Sequence, residues 1–235
     1  MSIRNKHIVV LFCYKNIDHI IKCYDSLKNN DIDFFVVENY SDNSPLIESF
    51  FKNENIVGHI LFKENITNNA IEVFIKDYFD LLKEYPLITI TDCDLFSSNS
   101  NLLFQEIYSI LEDSDVGVCC SKLNLENLPN VPGSNNWVPK EKKITEKYIE
   151  TGSGIHMMTL TQKNLNLIKE VKFLDQNLIK IIKNNNLKWV TTLKNEVVHL
   201  TWDLYYPGNE YYNFKVINKP TLWSSHKICE YNILK

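Results

Sequence analysis

Arginine is almost missing from this 235-residue chain: Arg4 stands alone, and every other fixed cation is a lysine. Binding a phosphate backbone needs clustered cations, so a net charge of −4 and a pI near 5.9 argue against nucleic acid as the partner. Long apolar runs are missing too, and nothing approaches the length that spans a bilayer. The stretch after Met1 breaks at Tyr14-Lys15-Asn16, too early for a signal peptide, which leads to the expectation of a cytoplasmic protein. The six cysteines (Cys13, Cys23, Cys93, Cys119, Cys120, Cys229) include no C-x-x-C pair and no zinc-type spacing to histidine. Free buried thiols in a reducing compartment are therefore expected. No internal repeat is present.

What the chain does have is ordinary globular composition, 44% hydrophobic and 23% charged, enough for one large α/β domain over residues 1–235. Its first half alternates buried-strand and amphipathic-helix patterns. His7 to Cys13, Phe34 to Val37, Ile56 to Phe62 and Leu87 to Thr91 read as strands. Ile17 to Leu27, a segment opening at Ser44-Pro45, and Ala70 to Leu82 read as helices. A β-α-β-α-β-α-β succession builds a largely parallel sheet. Beyond it come a helix around Leu102 to Leu111 and a strand at Val116 to Cys120. Ser121 to Ile149 is polar, proline-bearing and aperiodic, and is expected to be a long functional loop. A strand at Ile155 to Leu160, a helix at Asp175 to Lys183 and strands at Trp189 to Thr191 and Val197 to Leu200 follow, then an aromatic-rich tail.

Three Asp-x-Asp triplets occur, close to what chance supplies, and position separates them. Asp31-Ile32-Asp33 and Asp113-Ser114-Asp115 precede apolar runs, whereas Asp92-Cys93-Asp94 follows Leu87 to Thr91. Ligands of open α/β sheets bind at the carboxyl ends of the strands. Two carboxylates there, two residues apart on one side of an extended segment, suit Mg²⁺ or Mn²⁺ holding a phosphate. A pyrophosphate met without arginine must be neutralised by lysines, helix N-termini or a metal. Phe12-Cys13-Tyr14 and Glu38-Asn39 end two other strands. Glu38 could accept a hydrogen bond from a base or ribose, while Asp42 and Asn43 could equally form an Asx turn or helix cap.

These segments, in this order and spacing, resemble the GT-A nucleotide-sugar glycosyltransferases, in particular the glycosyltransferase family 2-like group. Phe12-Cys13-Tyr14-Lys15-Asn16 is similar to the family's opening turn, and Val36-Val37-Glu38-Asn39-Tyr40-Ser41-Asp42-Asn43-Ser44 to its nucleotide-binding segment. Glu64-Asn65-Ile66-Thr67-Asn68-Asn69-Ala70 resembles the loop after strand three, and Ile88 to Asp94 the Asp-x-Asp strand. Leu174-Asp175-Gln176-Asn177-Leu178 resembles, more loosely, the helix that carries the general base.

The resemblance implies a single GT-A (Rossmann-like) domain: a mostly parallel central sheet flanked by helices, with a small antiparallel C-terminal part. Residues 1–95 would form the nucleotide-binding half, 96–200 the acceptor and metal-completing half, and 201–235 an aromatic-rich tail. It further implies transfer of one sugar from a nucleoside-diphosphate sugar, a UDP-sugar favoured, to a glycan or lipid-linked acceptor. Mn²⁺ or Mg²⁺ would be held by Asp94, Asp92 and the strand-end His199. Phe12, Cys13, Tyr14, Glu38, Asn68, Asp92 and Cys93 would hold the nucleotide. Asp175 would act as general base in an inverting displacement, or as its helix's N-cap.

No Gln-x-x-Arg-Trp motif follows, which counts against a processive synthase. A retaining transferase and an inactive carbohydrate-binding module stay open as alternatives, whereas a sugar nucleotidyltransferase would need a glycine- and arginine-rich first turn that Cys13-Tyr14-Lys15-Asn16 does not offer. Gly152-Ser153-Gly154 reads as a tight turn; the resemblance implies that it lines the donor-sugar and acceptor pocket, and a simple strand-entry turn stays open. Trp202 and Asp203 are the tail residues expected to face an acceptor. The other tail aromatics are compatible with core packing, a homodimer contact or peripheral association with the inner face of a membrane. The remaining histidines have no comparable sequence context.

Overall fold

In the computed structural model, residues 7–14, 16–39, 44–52, 54, 56–66, 69–130, 138, 141–151, 156–170, 172, 175–210, 212–213 and 233–234 are described. Strand β1 (His7–Cys13) is buried along its whole length, as a doubly covered parallel strand must be. Beside it run β2 (Ile32–Glu38), β3 (Ile56–Phe62) and β4 (Leu87–Asp92), giving the parallel order β3-β2-β1-β4. Helices α1 (Ile17–Leu27), α2 (Ser44–Phe51) and α3 (Asn69–Asp77) with α4 (Phe79–Leu82) make the crossovers. The Asn16 side chain caps α1 by accepting from the His19 amide at 3.4 Å, satisfying one orphan donor of the first turn.

The second half extends the sheet with mixed directions. After β5 (Leu95–Phe96) and α5 (Ser100–Leu111) come β6 (Val116–Leu123), β7 (Glu141–Ile144), β8 (Ile149–Thr151), β9 (Met158–Thr161), α6 (Gln162–Ile168), α7 (Asp175–Asn184), β10 (Lys188–His199) and β11 (Ile233–Leu234). Strand β9 lies antiparallel between β4 and β6, β10 runs parallel to β6, and the β7–β8 pair closes that edge. The main order is β11-β3-β2-β1-β4-β9-β6-β10-β8-β7, with β5 paired to β10. One apolar core lies on each face: Ile8, Val10, Phe74 and Trp189 belong to one, Val9, Leu11, Leu103 and Val190 to the other. No helix among the described residues is long and apolar enough to cross a membrane. Five cysteines are buried thiols, none in a disulfide; Cys229 lies outside the described residues.

The structure corrects four sequence expectations. Ala70 to Leu82 is two helices, interrupted at Tyr78 (φ −111°), whose ring stacks on Phe74 at 5.3 Å and meets Phe35 at 5.0 Å. The stretch 121–149 carries the end of β6 and all of β7, a Glu-Lys-Lys-Ile edge strand too polar to read as one. Helix α6 was not anticipated. The two strands expected at Trp189 to Thr191 and Val197 to Leu200 are one 12-residue strand, β10, interrupted by a bulge.

Candidate active site

Asp92 is the last residue of β4, in register with Phe12, and its side chain is 53% exposed. Cys93 turns inward; its amide donates to the Phe12 carbonyl at 3.2 Å, and its thiol packs with Cys13 and Cys23 behind the carboxylates. Burial, reinforced at Cys13 by the Cys93 thiol, pushes Cys13 and Cys23 well above the ordinary thiol range. The centre of the triplet is thus a packed side chain turned into the core. Asp94 leaves the sheet and accepts the Leu200 amide on its carbonyl at 2.7 Å. That bond ties the triplet to the end of β10 and the 3-10 turn Leu200–Leu204.

Around Asp94 the fold gathers three imidazoles. His199 Nδ1 lies 3.5 Å from Asp94 Oδ2, and the Thr201 hydroxyl donates to that same oxygen. His19, from the first turn of α1, places Nδ1 3.5 Å from Thr201 Oγ1. His156 Nδ1 lies 3.8 Å from Asp92 Oδ2, and its ring meets His199 edge-on at 5.8 Å. Desolvation lowers all three histidines, His156 to about 3, with Asp94 pulling the other way. They are therefore neutral rings able to offer a lone pair or a single N–H.

The second carboxylate oxygen, Asp94 Oδ1, is buried and accepts no hydrogen bond among the described residues. A buried anionic oxygen without a donor is costly, and a cation would relieve it. Among the described residues no three His, Cys, Asp or Glu side chains converge on one metal position. Asp94 and His199 by themselves would supply two protein donors, leaving the other ligands of a divalent ion to water and phosphate oxygens. The donor chemistry fits Mn²⁺ or Mg²⁺.

The other expected site residues are scattered. Glu38 ends β2 fully buried, with Oε2 3.3 Å from His59 Nε2, and Asn39 accepts the Ile66 amide at 2.8 Å. The Cys13 thiol faces the core, and its carbonyl accepts the Asn39 amide at 2.8 Å, so its side chain offers nothing to a nucleotide. Phe12 is nearly buried and packs on Phe74 at 5.9 Å; Tyr14 is half-buried at the strand end. Asp175 is the first residue of α7, and its side chain lies outside the described residues, as do Asn68 and Gly152-Ser153-Gly154.

Trp202 is not available to an acceptor. It is 2% exposed and stacks on His199 at 4.9 Å with rings 5° from parallel, fixing the imidazole plane. Asp203 is exposed and accepts from Asn127 Nδ2, which also donates to the His199 carbonyl at 3.0 Å. Sequence reasoning missed His19 and His156. Neither neighbours the triplet along the chain, and no local sequence pattern marks either of them.

No family model matches the chain. Two uncharacterized proteins of Acanthamoeba polyphaga mimivirus, L138 and L142, are each 30% identical to it, over 100% and 94% of this chain. The chain spans only 29% and 49% of their lengths. Among solved structures it is similar to the mannosyltransferase PcManGT of Pyrobaculum calidifontis in complex with GDP-Man and Mn²⁺. There the TM-score is 0.58 at 14% identity, over 91% of this chain and 60% of that one. S. aureus TarS 1-349 in complex with UDP-GlcNAc gives 0.56 at 14% identity, over 90% and 65%. A CMP:2-keto-3-deoxy-manno-octonic acid synthetase complexed with CTP gives 0.51 at 9% identity, over 82% and 90%. The chain has the GT-A fold of nucleotide-diphospho-sugar transferases.

Proposed function

We propose that the chain is a divalent-metal-dependent glycosyltransferase that moves one sugar from a nucleoside-diphosphate sugar to a glycan or lipid-linked acceptor. The observation that carries this reading is Asp94: a half-buried carboxylate whose buried Oδ1 accepts no hydrogen bond among the described residues, just past the carboxyl end of a GT-A strand and beside His199. Asp94 and His199 would hold the ion, with Asp92 and His156 beside them. When bound, the ion supplies Lewis-acid stabilisation of the charge that develops on the departing diphosphate. Thr201 and the Trp202 stack keep Asp94 and His199 in place for that role.

The neutral imidazoles stand where an arginine-poor chain needs hydrogen-bond donors to phosphate. The sequence resemblance supports Glu38 as the partner of the base or ribose, although its carboxylate is buried against His59; a UDP-sugar is the favoured donor. In the inverting displacement, the acceptor oxygen bonds to the anomeric carbon as the sugar–phosphate bond breaks. The diphosphate leaves with that electron pair, and Asp175 takes the hydroxyl proton. Support for Asp175 is its place at the head of α7 and the sequence resemblance. Single-sugar transfer rests on the absent processive motif. A cytoplasmic location, a homodimer and peripheral membrane contact belong to this same proposal.

The test is a thermal-shift screen of UDP-, GDP- and CMP-sugars with and without Mn²⁺, repeated with Asp94→Ala. A metal-dependent shift that disappears in Asp94→Ala supports the reading; no metal-dependent shift with any nucleotide overturns it. With a donor in hand, the anomeric proton of the product separates inversion from retention.

A further inference from the structure

We propose that Glu106, on α5, is a positioning residue that decides which face of the sheet receives His199. After a one-residue shift between Lys188 and Trp189, strand β10 keeps regular register with β6 from Trp189↔Val118 through Thr191↔Cys120 and regains it at Glu196↔Lys122. Four residues, Thr192 to Asn195, therefore stand opposite the single Ser121, three more than a regular ladder holds. Side chains alternate faces along a strand, so an odd excess reverses the alternation beyond it.

The two cores record that reversal. Val190 and Val197 are seven positions apart and would face opposite sides of an uninterrupted strand. Both line the same core, together with Cys93, Leu95 and Trp202, whereas Trp189 lies in the other. His199 shares the alternation of Val197 and so emerges on the side of Asp94. An unbulged β10 would send it to the side of Trp189.

The bulge is held by one carboxylate. Glu106 Oε1 accepts the amides of Leu193 (2.7 Å) and Lys194 (2.9 Å). Its Oε2 accepts the Asn195 amide (2.8 Å) and side-chain Nδ2 (2.6 Å). Thr192 Oγ1 donates to the Asn195 carbonyl at 2.5 Å and accepts the Lys122 amide at 2.9 Å, stitching the base of the loop. The looped backbone cannot give these amides to the ladder, and Glu106 supplies the acceptors from outside the sheet. On the same stretch β10 exchanges β8 for β5 as its antiparallel neighbour. The consequence for metal binding rests on the functional reading above; the clamp itself does not.

Trp189 precedes the bulge and Trp202 follows it, which gives each side a reporter. The chain is labelled with 5-fluorotryptophan, and the Trp189 and Trp202 resonances are picked out among those of its four tryptophans by single Trp→Phe substitution. Glu106→Ala and the shape-preserving Glu106→Gln should displace or split the Trp202 signal and leave Trp189 in place. Mn²⁺ uptake, followed by the electron paramagnetic resonance of the free ion, should weaken at least tenfold. An unmoved Trp202 signal in both variants, or equal displacement of both tryptophans, would overturn the proposal. If Glu106→Ala does not fold, Glu106→Gln decides. A wild-type chain that takes up no Mn²⁺ sinks the metal reading alone, and the Trp202 signal still judges the clamp.

Discussion

His7 should make the fold acid-sensitive in a way that one substitution can isolate. It begins β1 at 1% exposure, with Nε2 2.7 Å from Thr89 Oγ1 and Nδ1 2.9 Å from Tyr108 OH. Thr89 Oγ1 continues to Thr159 Oγ1 at 2.6 Å, and Phe104 covers the ring edge-on at 5.0 Å. None of these contacts is anionic, so burial lowers the imidazole from 6.5 to about 3. Because the folded value lies below the unfolded one, the stabilisation is complete above pH 6.5. It drains away as pH falls towards 3, where the unfolded chain takes a proton that the native one refuses. At 1.36 kcal/mol per unit, the loss from this group alone is about 2 kcal/mol at pH 5.

Urea unfolding followed by far-ultraviolet circular dichroism, at half-unit steps from pH 7.5 to 5, measures it. His7→Leu should be less stable than wild type at pH 7.5 by about 1–3 kcal/mol, since two hydroxyls lose a buried partner. Its stability should then fall less steeply, by up to ~1.4 kcal/mol per pH unit, so that the two curves converge near pH 5. Parallel curves would refute the reasoning.

Thr201→Val removes the hydroxyl that donates to Asp94; Mn²⁺ affinity by calorimetry should fall about 10–100-fold with the melting temperature nearly unchanged. Replacing His199 with Asn exchanges a nitrogen donor for an oxygen one, so the preference for Mn²⁺ over Mg²⁺, read by competition, should shrink. Gly58→Ala would set a Cβ within 2.9 Å of the Phe35 ring, which Phe74 and Tyr78 hold at 4.8 and 5.0 Å. Overpacking there should cost about 1–3 kcal/mol in urea unfolding.

The first four strands were legible because strands covered on both faces read as unbroken apolar runs. Strands β1 and β3 and helix α1 fall on the expected residues. The position of Asp92 and Asp94 followed from the same logic, since the end of β4 is set by its own residues. What stayed hidden depends on meetings between distant segments. Leu193-Lys194-Asn195 reads as a loop until Glu106, 87 residues earlier, supplies its acceptors. Trp202 reads as an exposed aromatic until His199 is seen beneath it. His156 and His19 have no local pattern, and their contacts with Asp92, Thr201 and each other's neighbours come from four separate elements. Strand β7 was missed because a charged edge strand resembles a loop in composition.

The place of β9 bears on how the chain can be assembled and dissected. Met158–Thr161 fills the slot between β4 and β6, so residues 7–92 cannot complete their own sheet. Until the ribosome has delivered residue 161, β4 carries an open row of peptide groups beside two apolar faces. Such an edge invites pairing with other chains. A fragment ending near residue 150 should therefore aggregate, although it retains both carboxylates and the whole β-α-β-α-β-α-β series, and one ending at Thr161 closes β4 but leaves the outer edge of β6 open until β10 arrives. Four residues in mid-sequence thus join the two halves of the sheet.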